Sequence, residues 1–441
     1  MQQVLDLHIH SRYSRACSKD LTLENLDKAC RIKGVDIIAT GDFTYPQWFD
    51  AINDLTPCPL SQGARGGESG LYQLPNSDGK IKFILSTELA LIYKQGEGHA
   101  RRLHIVVLAP NLAAVKKFNE YLERSKFNIR SDGRPILGMS AIELCKVLFD
   151  IDEKFMVIPA HIWTPWFSVF GSKSGFDSPE ECFGEFTKYI YAYETGLSSD
   201  PEMNWRLSSL DNLTLLSNSD AHSLPNIGRE ANVFDLNEIS YDEIYRVIKE
   251  KDLSKIKYTI EFYPEEGMYH YDGHRACNVR LSPAETKKNK GLCPVCKKPL
   301  TIGVCYRVSE LADRELGFKP KRVAGYKKLV ELDKIIAESL DIRSRSSQKV
   351  QAEYQNLIKH CGSELNILAD EPLNNLIKFT LPEIAEGIKR VREGRLIIEP
   401  GFDGEYGTVK IFSPKEKANN KQVRLFWPHP HPLSFAKRGE L

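Results

Sequence analysis

The stretch VLDLHIH, residues 4–10, alternates polar and apolar side chains with a period of two. That spacing predicts a β-strand with Asp6, His8 and His10 on one face and Leu7 and Ile9 on the other. Taken alone, two histidines in this register are as often a hydrogen-bonded surface pair as a metal site. The reading therefore depends on what surrounds them.

Working outward, TLENLDKACRIKG has helical periodicity and VDIIATGDF reads as a second strand. KFILSTEL, RLHIVVLA, FMVIPAHI, IYAYETG and LTLLSNSD continue the pattern to about residue 260. This strand and helix rhythm predicts an α/β fold, with about seven units pointing to a β/α barrel. The expected strand ends carry Asp42, Glu88, His104, His161, Glu194, Asp220 and His222, and barrel active sites collect at the C-terminal ends of strands. A mixed nitrogen and oxygen set of this size suits two or three divalent ions such as Zn²⁺, Mn²⁺ or Mg²⁺. Clusters of that kind hydrolyse phosphate esters, since the ions both generate hydroxide and neutralise phosphoryl charge. The expected metal ligands are His8, His10, Asp42, Glu88, His104, His161, Asp220 and His222, with Glu88, His161, Asp220 and His222 nearest the chemistry. Glu194 reads equally as a further ligand or as a partner that orients a ligand histidine, and Asp6 is expected to anchor the imidazoles.

A second constellation is His274-x2-Cys277-x15-Cys293-x2-Cys296. Two pairs at i, i+3 across a spacer of zinc-ribbon length predict one tetrahedral structural Zn²⁺. His270 and Cys305 lie close enough to substitute for His274, but the setting TIGVCYRV makes Cys305 read as a strand thiol. The other cysteines, Cys17, Cys30, Cys58, Cys145, Cys182 and Cys361, are too scattered for a disulfide framework and are expected to be reduced.

DLHIHS, the strand ending in Asp42, STE, PAH and SDAH together resemble the motifs of the polymerase and histidinol phosphatase (PHP) superfamily over about residues 4–232. SRYSRACSKDLTLENL, GDFTYPQW and YETGLSSDPEMNW are closer to its endonuclease Q branch, a resemblance that continues through the cysteine pairs into the C-terminal segment. It implies a distorted seven-unit β/α barrel (1–260), a small zinc-binding domain (261–310) and a mixed α+β C-terminal domain (311–441). It also implies cleavage of DNA on the 5′ side of deaminated bases (hypoxanthine, uracil, xanthine) or abasic sites. Two positions depart from the pattern. Phe43 follows Asp42 where the superfamily carries His, which removes one expected ligand, and Tyr45 stands where the branch usually continues with His.

The 441 residues hold 60 Lys and Arg against 59 Asp and Glu, so overall charge selects no partner. Residues 319–349 are locally basic, with nine Lys and Arg against four Asp and Glu, and are the expected DNA-backbone contact. Trp163, Trp166, Phe167 and Phe170, just after His161, are expected to stack on unpaired bases. Residues 55–80, rich in Gly, Pro, Ser and Asn, read as a long inserted loop of the kind that forms lids. The tail beyond about 413 reads as loosely held. The chain has no apolar run long enough for a membrane span and no secretory-type start. A cytoplasmic monomer is expected, with replication or repair proteins as further partners. The competing readings are a small-molecule phosphatase, which leaves the zinc module and basic segment without a use, and a nucleic-acid-binding scaffold, which would need ligands to be lost.

Overall fold

The computed structural model describes residues 1–60, 68–95, 98–413 and 416. Its largest sheet is built around Gln2–Asp6, which pairs in parallel with Ile37–Ala39. Ile37–Ala39 in turn pairs in parallel with Lys82–Ile84. The intervening helix Leu23–Lys33 makes the crossover. Thr22 caps it by accepting the N–H of Asn25, and Leu23, Leu26 and Cys30 turn inward at helical spacing. On its other side Gln2–Asp6 pairs antiparallel with Ala231–Asp235, followed outward by Ile256–Glu261 and Gly325–Lys328.

A four-stranded sheet follows in the chain, ordered Ile136–Leu137, Ser86–Gln95, His99–Leu108, Met156–Pro159. Ala192–Glu194 and Thr214–Leu216 then pair in parallel. A parallel bridge between Ile9 and Ala221 returns the chain to the first strand. The α/β class expected from the sequence is thus found, but the uniform strand and helix rhythm is not. Ser86–Gln95 and His99–Leu108 form a ten-residue antiparallel ladder, and Ala231–Asp235 and Ile256–Glu261 add two further antiparallel pairings on one side of the first strand. The expected 55–80 loop also contains two strands. Thr56–Pro59 and Glu68–Gln73 pair antiparallel at the sheet edge, while residues 61–67 lie outside the described residues, as does the expected loose tail apart from residue 416.

Beyond residue 261, Asp272–His274 pairs antiparallel with Val279–Leu281. Val279, Cys293 and Leu300 form a small apolar cluster separate from the main core. The helices Leu332–Ser339, Gln348–Cys361, Glu364–Ala369 and Pro382–Arg392 follow, and a hairpin then pairs Ile397–Glu399 with Thr408–Lys410. These helices share one continuous hydrophobic core with the first 260 residues. Cys305 lies in the helix Val304–Leu311, not in a strand. The glycine at 303 lets the main chain pass Tyr271 closely enough for the helix to start there. All ten cysteines are free thiols. Among the described residues no helix is long and apolar enough to cross a membrane.

Candidate metal centre

The alternation read in VLDLHIH delivers His8 and His10 side by side, ring centroids 5.5 Å apart and almost wholly buried. Asp220 arrives from the segment bridged to Ile9, and its Oδ1 approaches His10 Nε2 to 3.1 Å and His8 Nε2 to 3.7 Å. The second set comes from the antiparallel ladder. Glu88 lies opposite Val106 and Ala90 opposite His104, so Glu88 and His104 are diagonal neighbours on one face. Both sit within strands instead of at the expected ends. His104 Nδ1 is 2.9 Å from Glu88 Oε1, and His161 Nε2 is 3.3 Å from the same oxygen.

Among the described residues, His8, His10 and Asp220 form one group whose ligand atoms lie within 4.8 Å of one another, and Glu88, His104 and His161 form a second. Glu88 joins the two, because its Oε2 lies 3.2 Å from His10 Nε2 while Oε1 faces His104 and His161. The nitrogen and oxygen donors fit a divalent cation. His8 Nε2, His10 Nε2 and Asp220 Oδ1 are all buried without a hydrogen-bond partner, an expensive arrangement for three converging lone-pair atoms unless a cation satisfies them.

Two expected ligands stand outside these groups. Asp42 turns inward: its Oδ1 lies 3.1 Å from His10 Nδ1, and its Oδ2 accepts from Ser11 N–H (2.7 Å), Ser11 Oγ (2.6 Å) and Ser14 Oγ (2.8 Å). It therefore orients His10, with Nε2 turned towards Glu88 and Asp220. His222 packs its ring 4.6 Å from that of His10 and turns Nδ1 to the Asp220 main-chain oxygen. Glu194 contacts His8 Nδ1 at 3.0 Å and accepts the His161 N–H at 2.9 Å. Asp6 differs from expectation. Its oxygens accept the N–H groups of Ser219 and Gly228, so it anchors the loop that carries Asp220 instead of the imidazoles. Phe43 is fully buried in the core, and Tyr45 stacks on Tyr13 with centroids 4.5 Å apart.

Burial opposes the charged form of His8, yet the carboxylates of Glu194 and Glu88 hold it well above the ordinary imidazole range. His104 goes the other way, pushed down to about 4 chiefly by burial. Glu88 is buried too, but His104, Arg134 and His8 hold it well below the carboxylate range. Asp42, His161 and Asp220 adopt φ of +48°, +30° and +45°, a left-handed backbone that non-glycine residues reach only under strain.

Sequence reasoning missed Arg134, Gly133, Ser11 and Ser14. Arg134 Nη1 lies 2.8 Å from Glu88 Oε2. Gly133 closes over Asp42 so tightly that a Cβ there would lie 2.3 Å from Asp42 Oδ2. Ser11 and Ser14 follow the opening stretch directly and carried a signal only in their closeness to His10.

Above the cluster opens a cavity of about 430 Å³, lined by His104, Arg134, His161, Trp166, His222 and Tyr269 among others. Only part of the expected aromatic loop faces it. Trp163 and Phe170 are core residues, their rings tilted against each other with centroids 4.9 Å apart, and Trp163 Nε1 donates to Asn204 Oδ1. Trp166 is exposed and meets Tyr269 edge to face at 5.6 Å, while Phe167 lies against His104.

His274, Cys277, Cys293 and Cys296 form the third group within 4.8 Å, as their spacing implied. Three thiols and one imidazole are a fitting donor set for Zn²⁺. His270 and Cys305 are not part of it, and lie 3.2 Å from each other instead. In the expected basic segment, Lys327, Lys328, Lys334 and Arg345 are paired with Asp370, Asp200, Glu266 and the Glu331 and Asp333 pair, and Lys319 lies over the Trp205 ring.

The fold has close counterparts among known proteins. The crystal structure of the lesion-specific endonuclease PfuEndoQ from Pyrococcus furiosus matches with a TM-score of 0.80 at 29% identity, over 95% of this chain and 99% of that one. A structure of endonuclease Q in complex with a 27-mer duplex substrate, with an abasic lesion at the active site, matches with a TM-score of 0.79 at 30% identity, over 94% and 97% of the two chains. The chain belongs to the endonuclease Q family. Residues 203–253 match the PHP-associated family and residues 331–395 the MJ0043 C-terminal domain. Among family relatives, YqxK of Bacillus subtilis is 29% identical over 92% of this chain and 98% of its own length. MJ0043 of Methanocaldococcus jannaschii is 32% identical over 60% of this chain, which spans about a third of that protein.

Proposed function

We propose that this protein is a metal-dependent DNA repair endonuclease that hydrolyses the phosphodiester on the 5′ side of a deaminated base (hypoxanthine, uracil or xanthine) or an abasic site. The observation that carries the reading is the convergence of His8 Nε2, His10 Nε2 and Asp220 Oδ1, buried and unpartnered, beside an open cavity that Asp220 helps to line. The abasic duplex held by a solved family member supports the choice of substrate.

Divalent ions, when bound, supply Lewis acidity to the phosphoryl group and lower the pKa of the attacking water. The ions would be held by His8, His10 and Asp220 and by Glu88, His104 and His161. Glu88 offers one oxygen to each group, so the two sets are held in a fixed relation. Asp42 and Glu194 keep the Nδ1 atoms of His10 and His8 occupied, which fixes the ring orientations. Arg134, at the cavity wall, supplies a fixed positive charge where a phosphate enters. Trp166 and Tyr269 offer apolar faces to an extruded nucleotide. His274, Cys277, Cys293 and Cys296 hold a structural Zn²⁺ that stiffens residues 261–310, with 1–260 as the catalytic portion and 311–441 as a further DNA-facing portion.

The test is to incubate the protein with Mg²⁺ or Mn²⁺ and duplexes carrying one uracil, hypoxanthine or abasic position. A single nick 5′ to the lesion is expected, abolished in Asp220→Asn while lesion-duplex binding persists. Rapid turnover of a phosphomonoester without any nick would replace this reading by the phosphatase one.

A further inference from the structure

Behind the metal centre lie two amide side chains, Asn218 and Asn232, wholly buried together with Ser217 and Glu194. Asn232 belongs to the strand Ala231–Asp235, a setting in which Asn is disfavoured unless its amide is used. Here both ends of the amide are tied to the main chain of Ser217. Oδ1 accepts the Ser217 N–H at 3.0 Å, and Nδ2 donates to the Ser217 carbonyl at 2.8 Å. The same Nδ2 donates to Asn218 Oδ1 at 2.9 Å, and the Leu7 N–H donates to that oxygen as well, also at 2.9 Å.

With its oxygen taken by two donors, Asn218 can turn only its NH₂ towards Glu194, and Nδ2 lies 2.9 Å from Glu194 Oε1. An amide N–H only donates, so this oxygen must accept. Glu194 Oε2 accepts the His161 N–H at 2.9 Å, and the two oxygens lie 3.0 and 3.1 Å from His8 Nδ1. A carboxylate ringed by donors calls for a proton on His8 Nδ1, which leaves Nε2 to present its lone pair. The main chain at Ser217 and Leu7 thus dictates, through two amides and one carboxylate, which nitrogen of His8 carries the proton.

We infer that Asn218, held by Asn232, is a positioning residue that aligns both donor groups of the centre at once by fixing Glu194. The inference rests on the proposed metal-dependent reading, and adds to it a connection between the two groups on the side away from the cavity. Asn218 stands two residues before Asp220 and is bonded to Leu7, the neighbour of His8, so it ties together the segments that carry the first group. Through Glu194 it also holds the main chain of His161, whose φ of +30° needs support from its surroundings. Without the Asn218 donor, Glu194 loses the bond that sets its rotation, and His8 and His161 lose their alignment together.

The experiment titrates Mn²⁺ calorimetrically into full-length protein that retains its zinc. Asn218→Ala should weaken both Mn²⁺ equivalents by about tenfold or more, as loss of an outer hydrogen-bond partner does, whereas Asp42→Asn acts on the equivalent held by His10. In a Glu194→Gln background Asn218→Ala should add little, because both changes act through one contact. Asn232→Ser leaves every contact of Glu194 in place and should reproduce the pattern at smaller size; it carries the test if Asn218→Ala does not fold. Thermal unfolding, measured alongside, reads the packing contribution separately. Lowered stability with wild-type Mn²⁺ affinities would make the amides merely structural and overturn the inference. Weakening confined to one equivalent, or fully additive with Glu194→Gln, would overturn it too. If the variants show the expected pattern while the wild type nicks no lesion, the inference stands and the proposed function falls. A wild type that takes up no Mn²⁺ defeats both.

Discussion

Replacing Asp42 by Asn tests whether this residue orients His10 or binds an ion. Asn tolerates the left-handed backbone at φ +48°, so the chain need not move. Three donors meet Oδ2, and one imidazole nitrogen meets Oδ1. The amide oxygen therefore takes the Oδ2 position, and the amide NH₂ turns to His10 Nδ1. That ring nitrogen must then accept, which moves the proton to Nε2 and removes the lone pair the ion needs. Loss of such an orienting partner costs about 10–100-fold in metal affinity, or about 1.4–2.7 kcal/mol. Calorimetric titration of Mn²⁺ into protein that retains its zinc measures this directly, with Asp220→Asn as the variant that loses a ligand outright. Asp42→Asn should weaken Mn²⁺ binding within that range, and nicking should recover as Mn²⁺ is raised. Unchanged affinity would refute the orienting role. A loss as large as that of Asp220→Asn, without recovery, would make Asp42 a ligand after all.

Gly133→Ala drives a methyl group into Asp42 Oδ2. It should cost about 1–3 kcal/mol in stability and weaken Mn²⁺ binding, with no further weakening when combined with Asp42→Asn, because both act on one contact. Glu261 is buried, and burial raises its carboxyl to about 8. The folded state thus holds a proton that the unfolded chain releases near pH 4.5. Stability conferred by that proton is complete below the unfolded value and is lost as pH rises towards 8, at up to about 1.4 kcal/mol per pH unit. Glu261→Gln should therefore gain on the wild type in urea unfolding between pH 5 and 8, and a pH-independent difference contradicts the account. Cys293→Ser should remove one equivalent of zinc by mass spectrometry and expose residues 275–298 to protease; unaltered zinc content would show that the thiol is not a ligand.

The first strand and the cysteine pairs were legible because their information is local. A period of two puts His8 and His10 on one face, and two i, i+3 pairs can close on one ion. Glu88 and His104 were identified by type but placed wrongly. They meet through antiparallel pairing across a hairpin, and the apolar run RLHIVVLA looks the same whichever way its neighbour runs. Asp42 shows the limit of residue type, since a carboxylate at a strand end can face the ion or the ligand behind it. Arg134 and Gly133 meet Glu88 and Asp42 across 46 and 91 residues of sequence, and no spacing announces such contacts. The basic segment misled for a related reason, because counting charges does not reveal that Lys327, Lys328, Lys334 and Arg345 are already paired.

The left-handed backbones of Asp42, His161 and Asp220 set the centre against the rest of the fold in any selection for heat resistance. At each of the three, glycine relieves conformational strain of order 1 kcal/mol or more while removing a side chain that the centre uses. Gly196 blocks the reverse route, since a Cβ there would lie 2.3 Å from the His161 Cβ. A library screened only for surviving high temperature would drift towards glycine at 42, 161 and 220 and yield robust, inert protein. A screen that scores stability and cleavage together should leave these three untouched and find its gains elsewhere.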